Sequence, residues 1–118
     1  MSTPACRVVP ASSLPTAELA AEPLDPDQVV AGDPQVHGLA LDPIGGLEVG
    51  IWQHTAGTST DVESDEVFVV LSGRATIVVE DGPTLQLGPG DVGYLRAGSR
   101  TSWTVHEDLR KVYFVATS

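Results

Sequence analysis

From Leu47 onward the chain is a succession of short apolar-alternating runs: LEVGIWQH, EVFVVLS, RATIVVE, TLQL, DVGYL, TSWTVHE and LRKVYFVAT. Glycine, proline and aspartate separate most of them. A period of two sends alternate side chains to opposite faces, so each run can bury one face as a strand. EDG at 80–82 and GPGD at 88–91 are turn signals. No segment is long enough to be the helix of a parallel crossover. Short strands with this punctuation predict a sandwich or barrel, and a small all-β jelly-roll barrel accommodates seven or eight of them. Gly73, between EVFVVLS and RATIVVE, is expected to open a tight hairpin with positive φ.

The first 46 residues read differently. They hold seven of the nine prolines and are expected to form a Pro-rich arm, residues 1–46, packing on a barrel core at 47–118. Thr16–Glu22 is the one helix candidate, of one or two turns between Pro15 and Pro23. Val8-Val9 and Leu39–Leu41 are candidate edge strands, since proline confines such segments to sheet margins. A chain of 118 residues fits one domain and buries about two-thirds of its unfolded surface.

Six basic residues stand against 16 acidic ones, a net charge of −10. That balance repels phosphate backbones and argues against a nucleic-acid partner. Cys6 is the only cysteine, which argues against a disulfide framework. No apolar run approaches the ~20 residues of a membrane helix, and no secretory signal is evident. We therefore expect a cytoplasmic protein without membrane partners.

The motifs carry a resemblance. DEVFVVLSG, with Glu66 and Gly73, resembles the tail of the first cupin motif. LGPGDVGYLRAG resembles the second, with Arg96 where proline is usual. GIWQHTAG and SWTVHEDLRKVYFV extend the likeness to cupins related to ethanolamine-utilisation protein Q and ureidoglycine aminohydrolase, over about residues 47–117. The resemblance implies a double-stranded β-helix. In metal-binding cupins two histidines, a glutamate and a third histidine hold the ion. The matching positions here are Thr60 and Val62 (or Ser59 and Asp61), Glu66 and Thr101. Only Glu66 survives, so neither the usual metal nor another cofactor is expected. Asp61, Glu63, Asp65 and Glu66 read as a solvated acidic loop.

In the family position Glu66 points inward, followed on the same face by Phe68 and Val70. Trp52, His54, Thr60, Tyr94, Thr101, Trp103 and Tyr113 are the remaining candidates for the cavity. An apolar cavity with two indoles, hydroxyls and one carboxylate suits a small polar ligand. Glu66, with His54 as proton partner, is the candidate acid/base pair. Its structural alternative is an ion pair with Arg74, Arg96 or Arg100. Arg110 and Lys111 read as structural or interfacial, with Arg110 pairing Glu107 or Asp108. Two functions stand side by side. One is a small-molecule-binding cupin. The other is an isomerase, lyase or hydrolase built on Glu66, independent of metal or with a divergent metal site. A divergent metalloenzyme and a structural partner protein are the further readings. A homodimer is expected, with the arm covering a sheet edge.

Overall fold

The computed structural model of the protein describes residues 5–117. Nine strands form one curled antiparallel sheet, and no α-helix occurs among the described residues. β1 (Ala20–Ala21), β2 (Val29–Ala31) and β3 (Val36–Ala40) precede β4 (Leu47–His54), β5 (Gly57–Val62), β6 (Glu66–Val79), β7 (Thr84–Leu87), β8 (Val92–Leu95) and β9 (Arg100–Ala116). The predicted all-β cupin architecture is thus observed.

β6 and β9 are the spine. They pair along nearly their whole length, from Glu66 opposite Val115 to Val79 opposite Thr101. The other edge of β9 is covered in two stretches, by β5 through residues 100–105 and by β4 through 109–116. The other edge of β6 takes β8 at Glu66–Val69 and β7 at Ala75–Val78. Two long strands that each serve two short neighbours must bend, and the bend lies at Gly73. Gly73 does not open a hairpin. It sits inside β6 at φ 90°, among register shifts between Val70 and Ala75. A Cβ there would run into the Asp108 carbonyl of β9. The extra residues of the bulge sharpen the local twist and curl the sheet on itself. The hairpin expectation fails because glycine's positive φ serves a bulge as readily as a turn.

The core follows the alternation. Phe68, Val70, Ala75 and Ile77 of β6 meet Trp103, Val105 and Leu109 of β9, with Leu87 and Leu95 closing the side. Phe68 is wholly buried, a contribution of roughly 2–3 kcal/mol.

The N-terminal segment departs from expectation. Thr16–Glu22 is not helical; the short 3₁₀ turns are Ala11–Ser13 and Pro26–Gln28, and Ala20–Ala21 pairs with β3. Val8-Val9 forms no strand. β3 runs Val36–Ala40 and pairs with β4, while β2 pairs with β5. Proline on both sides of TAELAAE leaves too few residues for a helix to repay its nucleation. Arg110 does not pair with Glu107 or Asp108. It donates to Gln53 Oε1 at 2.9 Å and to the Leu14 and Ala17 carbonyls at 2.8 and 3.2 Å. Glu107 pairs instead with Arg74, at 3.3 Å.

Candidate functional site

The interior face of β6 begins at Glu66, and its carboxylate meets the Lys111 ammonium of β9. Lys111 Nζ lies 2.6 Å from Glu66 Oε2, and the two side chains are 5% and 10% exposed. The strand register explains the meeting. Lys111 stands opposite Trp52 on β4 and opposite Val70 on β6. The residues two before and two after it, Leu109 and Tyr113, share its face. The ammonium also lies over three rings, 4.4 Å from Trp52, 4.5 Å from Phe68 and 4.8 Å from Trp103. Aromatic faces supply the partial negative charge that a desolvated cation requires. None of the expected arginines takes the Glu66 pairing. Lysine, with its compact charge on a long apolar stem, reaches it from the barrel wall.

A second carboxylate enters beside the first. Glu63 is 8% exposed and follows β5. Its backbone is pinned to the 98–99 turn, donating to the Ser99 carbonyl and accepting from Gly98. The side chain therefore turns inward. Thr101 Oγ1 donates to its Oε2 at 2.6 Å and Trp103 Nε1 at 3.0 Å. The acidic loop is thus not uniformly solvated, for two of its four carboxylates, Glu63 and Glu66, turn inward as acceptors. Asp65 stays outside, accepting from the Ala97 amide at 2.9 Å.

Between these groups lies a cavity of about 250 Å³. Trp52, Trp103, Tyr113, Glu63, Glu66 and Lys111 form much of its wall, and Ser59, Thr60 and Asp61 line it from β5. Glu22, Leu24 and Gln28 of the N-terminal segment close one side. Gly38 makes this approach feasible, because any side chain there would occupy the space of the Glu22 carboxylate. Gln28 Nε2 donates to the Thr60 carbonyl at 3.0 Å and fastens the segment to β5. A broader depression of about 630 Å³ lies outside, over Val62, Val78 and Arg100. It is open to solvent and holds neither the ion pair nor an indole, so the smaller cavity is the candidate site.

Burial, with the charges of Glu22, Glu48 and Glu66, pushes the Tyr113 phenol up. Partial desolvation, then the charge of Glu63, pushes the Asp61 carboxyl up. In both, burial is the first cause, and neighbouring carboxylates add to it.

His54 is not the proton partner of Glu66. It is 1% exposed, with Nδ1 2.6 Å from the Thr55 carbonyl and Nε2 2.8 Å from Ser59 Oγ. The carbonyl can only accept, so Nδ1 carries the proton and Nε2 accepts from Ser59. Burial holds its pKa below 6.5, which keeps the ring neutral. The imidazole is tilted against Trp52, centroids 5.4 Å apart, and buttresses the cavity wall from behind. Tyr94 is 66% exposed on β8 and lies away from the cavity. On β8 the buried positions are Gly93 and Leu95, so Tyr94 falls on the outer face by parity. Phe68 forms the floor under Lys111, while Trp52, Thr60, Thr101, Trp103 and Tyr113 come together with Glu66 around or beside the cavity. Sequence reasoning missed Glu63 and Lys111 as site residues. The parity of Lys111 with Trp103, Val105 and Tyr113 was the available signal.

The donors do not fit a metal ion. Val62 is exposed and apolar, the Thr101 hydroxyl is used by Glu63, and Glu66 already faces an ammonium. Among the described residues no three His, Cys, Asp or Glu side chains converge.

The curled antiparallel sheet is that of a cupin-like protein. Within that class the chain belongs to the EutQ-like cupin domain family, which matches residues 41–113. It is similar to the EutQ protein of Clostridium difficile, at 21% identity and TM-score 0.67, over 87% of this chain and 82% of that one. A protein of unknown function of the DUF861 family from Pseudomonas syringae pv. tomato is similar at 26% identity and TM-score 0.74. That match covers 85% of this chain but 45% of the other, so this chain spans under half its length. The cupin domain of Schizosaccharomyces pombe Cnp3 is similar at 18% identity and TM-score 0.63, over 90% and 72% of the two chains. No curated protein matches the sequence. Among the described residues no helix is long and apolar enough to cross a membrane.

Proposed function

We propose that this protein binds a small polar metabolite in the barrel cavity, as a sensor, carrier or accessory protein. The observation that supports this reading is the Lys111–Glu66 pair, 2.6 Å apart, at the wall of a cavity with three aromatic side chains. Polar groups fixed on an apolar wall orient a ligand without reorganising. The test is dialysis of wild-type protein and Lys111→Met against a cell extract, followed by native mass spectrometry. A bound small molecule in the wild type is expected, with its occupancy changed in the variant. No bound species in either would sink the proposal.

A second reading is favoured by the same pair. A carboxylate and an ammonium in hydrogen-bond contact can exchange a proton, so Glu66 with Lys111 can act as acid and base. An isomerase, lyase or hydrolase step in nitrogen or small-metabolite metabolism would use them, with no role for His54 beyond support. Glu66→Gln would then abolish turnover while leaving ligand affinity within a small factor. Homodimer formation belongs to the proposal as well. Val29, Val30, Val62 and Val78 are exposed apolar residues that a partner would cover. A stable monomer in sedimentation at micromolar concentration would refute it.

A further inference from the structure

The charges around the cavity do not balance. Five carboxylates line it, those of Glu22, Glu48, Asp61, Glu63 and Glu66, against one ammonium, that of Lys111. Lys111 is already engaged by Glu66. The other ion pairs among the described residues join Arg7 to Asp42 and Arg74 to Glu107, so neither reaches the remaining four carboxylates. Glu63 is the telling member. It is more than nine-tenths buried. Both of its hydrogen bonds fall on Oε2. Among the described residues no cation pairs it, and no donor reaches its Oε1. Two donors satisfy Oε2, while Oε1 stays accessible at the cavity that Glu63 lines.

The carboxylates also come from separate elements. Glu22 lies beyond β1, Glu48 on β4, Asp61 on β5 and Glu63 just after it. No three of them converge on one point. Negative charge spread around a cavity suits an extended organic cation better than a compact metal ion, which needs its oxygens within one coordination sphere. The aromatic walls of Trp52, Trp103 and Tyr113 add faces that favour cations and accept an alkyl chain. A volume of about 250 Å³ restricts the occupant to a small molecule.

We propose that the cavity receives a small organic cation, an alkylamine or diamine, with Glu63 at its inner end and Glu22, Glu48 and Asp61 at its rim. This deepens the metabolite-binding reading and rests on it. Lys111, neutralised by Glu66 and held by three rings, bounds the site. The ammonium of the ligand completes the hydrogen bonding of Glu63, and a second ammonium would meet the rim carboxylates. Diamines should therefore bind more tightly than monoamines of equal length.

The experiment is a fluorescence titration of the full chain, read through Trp52 and Trp103, at constant ionic strength. The probes are diaminobutane, butylamine, butyrate and butanol. Saturable binding of both amines is expected, with no response to butyrate or butanol. Glu63→Gln should weaken amine binding by at least about tenfold, the worth of a hydrogen bond to a charged group. Glu48→Gln and Asp61→Asn, both at exposed positions, should fold normally and weaken the diamine more than the monoamine. Glu107→Gln, on the outer surface with Arg74, should change nothing. Saturation by butyrate or butanol but not by amines would overturn the cation assignment and leave the metabolite-binding reading standing. Equal amine responses in the wild type, Glu48→Gln and Asp61→Asn would reduce the effect to screening of the overall charge and overturn it. No response to any probe would also overturn it, while the dialysis experiment tests the broader reading separately.

Discussion

Replacing Lys111 by Met tests whether the buried ion pair is a unit. Met keeps most of the side-chain volume and its contact with the indoles, but removes the charge. Glu66, 10% exposed in its side chain, is then left without its counter-ion. Breaking a buried pair from one side costs about 3–5 kcal/mol, because the surviving charge remains desolvated. The open cavity beside Glu66 admits some water, so the lower end of that range, about 3 kcal/mol, is expected. For a chain of this length, each 1 kcal/mol moves Tm by about 4 °C, which gives a fall of roughly 12 °C. The double variant Lys111→Met with Glu66→Met removes both charges and should recover most of the loss, since apolar replacement of a buried pair is often neutral. Urea unfolding of the four proteins in a double-mutant cycle gives the coupling directly. A single Lys111→Met variant within about 1 kcal/mol of wild type would refute the reasoning. So would a double variant whose loss equals the sum of the two single ones.

Further outcomes follow from single contacts. Trp103→Phe keeps an aromatic ring under Lys111 but removes the Nε1 donor to Glu63; a loss of about 1.5–3 kcal/mol in urea unfolding is expected. Gly73→Ala should cost at least about 2 kcal/mol, because alanine resists φ near +90° and its Cβ would strike the Asp108 carbonyl. His54 has a folded pKa below its ordinary 6.5. The unfolded chain therefore binds that proton first, so the stability His54 contributes is complete above pH 6.5 and is lost as pH falls toward the folded value. His54→Gln should flatten this part of the pH–stability curve. Asp61 shows the opposite sign, with its folded pKa above 3.8. Its charged form is disfavoured in the fold at neutral pH, and Asp61→Asn should raise Tm at pH 7 but not at pH 3.

The strands and the inward face of β6 were legible in the sequence because they depend on period-two alternation, a local property. Glu66, Phe68 and Val70 share a face in any regular strand, and so do Thr101, Trp103 and Val105. The turns at 80–82 and 88–91 are equally local, fixed by residues that tolerate tight backbone geometry. What the sequence left open were relations between distant strands. Gly73 announces a positive φ, but whether that φ makes a hairpin or a bulge depends on β9 continuing past it. Tyr94 stands on a short strand whose parity only its pairing with β6 decides. Glu63 looks like one acid among four until the 98–99 turn fixes its backbone and points it at Thr101 and Trp103. Lys111 is 45 residues from Glu66, and its charge argues for the surface on composition alone. Only the register of β9 against both β4 and β6 brings it over three rings and onto that carboxylate. Sequence by itself determined which side chains alternate; tertiary structure decided which charges meet, because electrostatic partners inside a barrel are chosen by strand register, and register is set by contacts across the whole sheet.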